Sequence, residues 1–256
     1  MSLQSQLTRL AQNVGALTAD TNAIFEALRA KGVAVPVNAQ LSDVAEMIES
    51  IVPPQTYVTI GGRQYKTVTI GNQEWLAENL DYKFSYNGST LPIGGSATTT
   101  PRAWYYSNNE ASYGIDGTYK CGLLYNWYAT KYLDDNKSTL LPNGWHIPTT
   151  IEWDTLTTSI GGASNATKLK SLDNSVIQGF PSEWNGTDDY GFNLLPSGNY
   201  SGPFNYFGKY AFLWSKTEID SSQSSSIYCG VNNNINTNDP AGKFCGFSLR
   251  LVKDVT

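Results

Sequence analysis

Residues 144 to 156, Gly-Trp-His-Ile-Pro-Thr-Thr-Ile-Glu-Trp-Asp-Thr-Leu, constrain the fold of this chain more than any other stretch, because they combine a turn, a capped helix start and two tryptophans. Thr149 followed three residues later by Glu152 is a capping box: the hydroxyl accepts an early helix N–H, and the carboxylate accepts the N–H of the cap. Pro148 is placed to staple against Trp153. Trp153, Leu156 and Ile160 then recur at helical spacing until Gly161 and Gly162 stop the helix. The expectation is a short helix with one apolar face, packed on a sheet.

With 40% hydrophobic and 12% aromatic residues over 256 positions, the chain can bury a substantial core in one large or two modest domains. Only 15% of residues are charged and the net charge is -5, which argues against nucleic acid, since phosphate binding needs clustered Lys and Arg. The opening Met-Ser-Leu-Gln-Ser-Gln-Leu has neither the charged region nor the apolar region of a signal peptide, and no run is long enough to span a bilayer. A soluble chain without membrane insertion is expected. Cys121, Cys229 and Cys245 show no Cys-x-x-Cys spacing, so no zinc site is encoded locally. Cys229 and Cys245 fall in candidate neighbouring strands; they either pair across them or, as the favoured reading has it for all three, are small buried hydrophobes.

Near the start, Leu3, Leu7, Leu10, Val14, Leu17, Thr21, Ile24 and Leu28 alternate in steps of four and three. This spacing reads as a heptad seam that two or more copies would bury against each other, with Thr21 fixing register; the alternative is an amphipathic helix packed within its own chain. An extended link around Pro36 precedes a second helix with Leu41, Val44, Ile48 and Ile51 on one face. Residues 1–52 are therefore expected to form a helical, coiled-coil oligomerisation module. Residues 53–56, beginning Pro53-Pro54, form a stiff linker. Residues 57–256 form the main domain.

There the pattern turns to β. Tyr57 to Ile60 and Tyr65 to Ile70 flank Gly61-Gly62 as a hairpin, and Gln73 to Leu80 should send Trp75, Leu76 and Leu80 into the core. Asn87 to Thr100, rich in Ser, Thr and Gly, reads as a surface loop, Ala103 to Tyr106 as an aromatic strand, and Gly122 to Lys131 as a second helix.

A set of motifs then runs in a recognisable order: Ile70-Gly-Asn-Gln-Glu-Trp-Leu-Ala-Glu-Asn-Leu80, Gly122-Leu-Leu-Tyr-Asn-Trp127, Leu141-Pro-Asn-Gly-Trp-His-Ile-Pro-Thr149, Glu152-Trp153, Asp189-Tyr-Gly-Phe-Asn193, Leu195-Pro-Ser-Gly198, Trp214-Ser-Lys-Thr-Glu218 and Gly246-Phe-Ser-Leu-Arg-Leu-Val-Lys-Asp254. Together they resemble the Fibrobacter succinogenes major paralogous domain over roughly residues 57 to 254. The resemblance implies an α+β C-type lectin-like domain, a fold similar to the variable receptor-binding proteins of diversity-generating retroelements. Leu141 stands where that family often has a cysteine, which puts a family disulfide there in doubt. The long helix, Lys-Gly-Val-x-Val-Pro link and short helix of the first 52 residues resemble N-terminal modules of bacteriophage tail and other virion proteins.

Catalytic chemistry is hard to find. His146 is the single histidine and no nucleophile or orienting acid is placed for it, so a structural role is expected. The formylglycine-generating enzyme shares the lectin-like fold, but its chemistry would require Cys229 and Cys245 as a reactive pair. Asp188-Asp189 and Asn238-Asp239 are the nearest calcium-ligand candidates, and they read better as turn residues. No catalytic residue, metal ligand or cofactor is assigned.

From Asn199 to Asn238 the chain is rich in Tyr, Ser, Asn and Gly, the residue types from which adaptable binding surfaces are made: tyrosine gives large contact area with few rotors, and the others give flexible hydrogen bonding. Tyr200, Asn205, Tyr206, Ser222, Ser224, Asn232, Asn233 and Asn234 are the expected ligand contacts, with Trp214 and the strand from Gly246 to Val252 as backing. The functional expectation is a virion-borne receptor-binding protein of a phage tail, a homotrimer that meets other tail proteins through residues 1–52 and a host surface glycan or protein through its C-terminal third. A structural decoration protein of the tail, a bacterial surface adhesin and, last, an enzyme are the rivals.

Overall fold

The computed structural model describes residues 18–30, 34–44, 55–96, 98–114, 116–117, 120–172 and 184–255. They belong to two compact units that divide between Pro54 and Gln55. In the first, residues 18–30 form a helix, α1, whose Phe25 and Leu28 are buried against Val35, Ala39 and Val44. Leu28 belongs to the expected seam and is covered by its own chain. Phe25 does not belong to it, while Ile24, which does, is 38% exposed. The seam from Leu3 to Leu17, and Ile48 and Ile51 of the second helix, lie outside the described residues.

The second unit begins with the expected hairpin. Strands β1 (Thr56–Ile60) and β2 (Arg63–Ile70) turn across Gly61 and Gly62, both at positive φ. The next strand, β3 (Gln73–Leu76), pairs with β2, and the chain returns at its far end to lay β13 (Val252–Asp254) beside β3, completing an antiparallel sheet in the order β1-β2-β3-β13. Short ladders follow: β4 (Ser85–Tyr86) with β5 (Ser89–Thr90) in the polar loop region, β6 (Ala103–Trp104) with β7 (Leu124–Tyr125), and β8 (Asn199–Tyr200) with β9 (Phe204–Asn205). A second sheet is built from β10 (Ala211–Glu218), β11 (Gln223–Cys229) and β12 (Ile235–Gly242) in sequential order. Helices and antiparallel sheets together make the unit α+β.

One helix starts later than its spacing suggests. Gly122 holds a φ of 69°, Leu124 and Tyr125 pair with Trp104 and Ala103, and the helix, α2 (Trp127–Asp135), begins where the Asn126 side chain accepts the Ala129 N–H at 2.9 Å. A strand partner twenty residues upstream overrides the local helical pattern.

Two hydrophobic cores flank the sheets, and several strands lie between them. In β3, Trp75 enters one core and Leu76 the other; in β10, Ala211 and Leu213 enter the first while Trp214 enters the second. The alternation is the period-two geometry of a strand buried on both faces. Helix α3 (Thr150–Ser159) brings Trp153 and Leu156 into the first of these cores, where Trp153 meets Trp75 at 4.6 Å between ring centroids.

The capping box forms as the spacing requires. Thr149 Oγ1 accepts the Glu152 N–H at 3.2 Å, and Glu152 Oε2 accepts the Thr149 N–H at 2.7 Å. His146 completes it, bound through Nε2 to the other Glu152 oxygen and through Nδ1 to Gly144 O at 3.0 Å. Burial alone would raise the Glu152 carboxyl, but the hydrogen bonds from His146 and Thr149 outweigh it and hold the group at about 2. The hydrogen bond to Glu152 raises His146, against burial. The depressed Glu152 contributes stability above 4.5 that is lost as pH falls towards 2, and the raised His146 contributes stability below 6.5 that is lost as pH rises through its folded value. Both contributions are complete between pH 4.5 and 6.5. Thr149→Ala is expected to cost about 0.5–2 kcal/mol by chemical denaturation, with ligand binding unchanged. A loss of binding at unchanged stability would make the segment part of the site.

A buried arginine ties the loops to the sheet. Arg250 is fully buried; its guanidinium donates to Asn79 Oδ1 at 2.7 Å, Leu76 O at 2.8 Å, Phe192 O at 2.7 Å and Asn193 O at 2.8 Å. Asn79 in turn donates to Cys121 O and to the hydroxyls of Ser197 and Ser248. Burial pushes Arg250 down to about 9, which still leaves it charged at neutral pH.

Candidate functional site

The three-stranded sheet builds a row of rings from its interior outward. Register sets Phe212 of β10 opposite Tyr228 of β11, and Tyr228 opposite Asn236 of β12. Inward from Phe212 the row continues through Phe247, at 5.2 Å, to the buried Trp214, 4.5 Å beyond. Outward it reaches Tyr228 at 5.4 Å, Tyr206 at 5.9 Å and Tyr210 at 6.1 Å, with Tyr210 stacked on Tyr228 at 5.3 Å and 27°. Gly230 makes room for this stack: a Cβ there would lie 2.5 Å from the Tyr210 ring.

Tyr206 crowns the row. It is 53% exposed and holds a φ of 63°. The left-handed conformation costs a residue with a β-carbon roughly 1–2 kcal/mol. Local hydrogen bonds fix it nonetheless, because the Tyr206 carbonyl accepts the N–H groups of Lys209 and Tyr210, and the Gly208 N–H reaches Pro196 O at 2.8 Å. Beneath the loop, Gly198 at φ 66° lets the backbone of Asn205 and Phe207 approach to a distance no side chain would permit. A large ring held at solvent in a strained conformation is a feature that folding does not require, and such strain clusters at binding sites.

The eight expected contacts separate into three groups. Tyr206 is presented to solvent, with Asn205 half-buried beside it and hydrogen-bonded within its own loop to Ser201 Oγ and Pro203 O. Asn232, Asn233 and Asn234 form the turn between β11 and β12, at the same end of the sheet as Tyr210; Asn232 and Asn234 are exposed, and Asn233 accepts a hydrogen bond at 3.1 Å from the fully buried Lys170. The remaining residues do not join them. Tyr200 is buried, stacked on Trp104 at 4.3 Å, so it backs the loop. Ser224 is fully buried and donates to Thr217 O. Ser222, though exposed, caps the turn at the opposite end of β11 by donating to Asp220, some 20 Å away at the usual rise of a strand. Tyr210, Phe212, Tyr228 and Asn236 adjoin Tyr206 or one another in the row and are not among the eight.

Burial, then the hydrogen bond with Tyr210, pushes the Tyr228 phenol up to about 12, and burial raises Asp239, whose carboxylate lies beside it. The row offers rings, phenol hydroxyls, amides and one carboxylate. His146 is engaged through both ring nitrogens. All three cysteines are buried thiols, and burial pushes Cys121 and Cys229 up to about 12 and Cys245 to about 11, the reverse of what a reactive thiol needs. Asp188 accepts the Asn193 N–H at 2.8 Å in its own turn, and Asn238 accepts the Ser225 hydroxyl. Among the described residues, no group of three or more His, Cys, Asp or Glu is placed to hold a metal ion. No described helix is long and apolar enough to cross a membrane.

Residues 68–253 match the family model of the Fibrobacter succinogenes major domain. No curated protein and no solved structure gives a significant match to the chain.

Proposed function

The chain belongs to the Fibrobacter succinogenes major domain family, and from that membership and the aromatic row we infer that it is a ligand-binding protein, recognising a glycan or protein of a host surface through Tyr206, Tyr210, Phe212 and Tyr228. The unit is read as C-type lectin-like; the return of β13 to the first hairpin supports this. Residues 1–52, whose sequence resembles virion modules, would oligomerise the chain as a trimer and attach it to a bacteriophage tail, so that weak contacts by each copy are multiplied on one particle. Light scattering of the full chain tests this assembly, and a monomer at high micromolar concentration would sink it.

The observation that carries the reading is Tyr206, exposed, aromatic and held at positive φ. Tyr206→Gly separates its two roles, because glycine relieves the left-handed strain while removing the ring. Folding stability should stay within about 1 kcal/mol, while binding to susceptible bacterial cells weakens by about 2 kcal/mol or more if the ring is an anchor. Unchanged adsorption across a panel of host strains would remove the row from the site, and control of host choice by variants of the Asn87 to Thr100 loop would move the site there.

A further inference from the structure

The turn that leads from Leu141 into Trp145 borders a cavity of about 310 Å³, which Lys137 and Ser138 of the helical turn Lys137–Leu140 line as well. That volume lies at the lower end of the range of roughly 300–1,000 Å³ found for small-molecule sites. The turn is fixed. Gly144 holds a φ of 85°, and the Trp145 N–H donates to Pro142 O at 3.1 Å.

Trp145 brings an unused donor. Of the seven indole N–H groups, those of Trp75, Trp104, Trp184 and Trp214 donate within the protein, and those of Trp127 and Trp153 are sealed from water without an acceptor. Only that of Trp145 has neither an acceptor nor a seal, although the residue as a whole is 4% exposed. The sliver of the ring that solvent reaches therefore includes the N–H, and the cavity lies against this residue.

The remaining lining narrows what can occupy the space. No carboxylate borders it, so an ammonium ligand has no counter-charge. Lys137 has its charge answered by Asp134 at 3.4 Å, and His146 is engaged through both ring nitrogens, so an anion gains little. Leu141 and Pro142 form an apolar wall, while the exposed Ser138 and Asn143 side chains make no hydrogen bond among the described residues. A purely apolar ligand would leave the indole N–H unanswered. A bare hydroxyl would leave the apolar wall uncovered. An acylated amine suits all three features, with a carbonyl to accept, an N–H to donate and a methyl to bury.

We propose that this cavity binds the acetamido group of an N-acetylated sugar, with Trp145 Nε1–H donating to the acyl oxygen, the ligand N–H donating to Asn143 Oδ1, and the methyl lying against Leu141 and Pro142. The site shares no residue with the aromatic row and does not rest on the reading given for that row.

The test is titration of the full chain with the methyl glycoside of N-acetylglucosamine, read on the indole resonances of proton–nitrogen correlation spectra. Sequential assignment identifies the Trp145 resonance, and its disappearance in Trp145→Phe checks it. It should move saturably at concentrations below about 50 mM, while methyl glucoside, which has the ring but no acyl amide, leaves it in place. Asn143→Ala, at an exposed position, should weaken the response about fivefold, the worth of one hydrogen bond, and Tyr206→Gly should leave it unchanged. The proposal is overturned by no movement with the acetylated sugar, by an equal movement with methyl glucoside, or by a larger one with acetate, which would make the cavity an anion site. An undiminished response in Asn143→Ala overturns it too, as does loss of the response in Tyr206→Gly, which would assign the ligand to the row.

Discussion

Replacing Arg250 with methionine is expected to yield a chain that no longer reaches its native state. Methionine fills most of the volume but donates nothing, so Asn79 Oδ1 and the carbonyls of Leu76, Phe192 and Asn193 lose their partner in a site sealed from water. Each buried acceptor left unsatisfied costs about 1–3 kcal/mol, which sums to roughly 4 kcal/mol or more against a total stability of about 5–15 kcal/mol for a typical domain. The damage spreads, because Arg250 holds the Asn79 amide that bridges Cys121, Ser197 and Ser248. Chemical denaturation and near-ultraviolet circular dichroism should show a grossly destabilised protein with its tryptophan environment lost. A melting transition within about 1 kcal/mol of the parent would mean that water enters and replaces the guanidinium.

Gly198→Ala should have the largest effect on recognition of any single methyl group. The added carbon would sit 2.4 Å from Asn205 O and 2.7 Å from the Phe207 N, in a residue already at φ 66°. Backbone cannot swing aside as a side chain can, so the loop that carries Tyr206 and Tyr210 must move. Strain of this kind costs roughly 1–3 kcal/mol for the conformation and a similar amount for the overlap. Stability should fall by about 2–4 kcal/mol, and cell binding by more than about tenfold as Tyr206 leaves its place on the row. Gly202→Ala is the matching control, with a φ of 108° but nothing within 4 Å, and should lower stability without abolishing binding. If both variants bind equally well, the close approach at Gly198 does not position the site.

The features readable from the sequence are those written in short spacings. Thr149 and Glu152 are three residues apart, and a cap needs nothing further away; Gly61 and Gly62 between two alternating runs suffice for a hairpin. Leu124 and Tyr125 sit in a helical spacing yet form a strand, because their partners lie about twenty residues away, at Ala103 and Trp104. The candidate face is hidden from the sequence for the same reason. Tyrosine content marks the loop as a candidate, but whether a given tyrosine reaches solvent depends on distant partners: Trp104 takes Tyr200 inside, while Tyr206 stays 53% exposed. Tyr228 joins the row through its register opposite Phe212, across a sheet with bulges in both ladders. Arg250 sits in Leu-Arg-Leu-Val, where a charge would ordinarily face water; no local pattern announces four oxygens gathered from two distant segments, residues 76–79 and 192–193.

Strand β10 hands Ala211 and Leu213 to one core while Trp214 stands in the other, with Phe212 at its margin. On the proposed function, in which the target of the exposed face can change, that division confers latitude. Asn232, Asn234 and Asn236 fall at exposed positions outside both cores, where single substitutions usually change stability by no more than about 0.5 kcal/mol. Heritable variation can therefore accumulate at the rim and be sorted by what it binds, since few of its members are first removed for failing to fold.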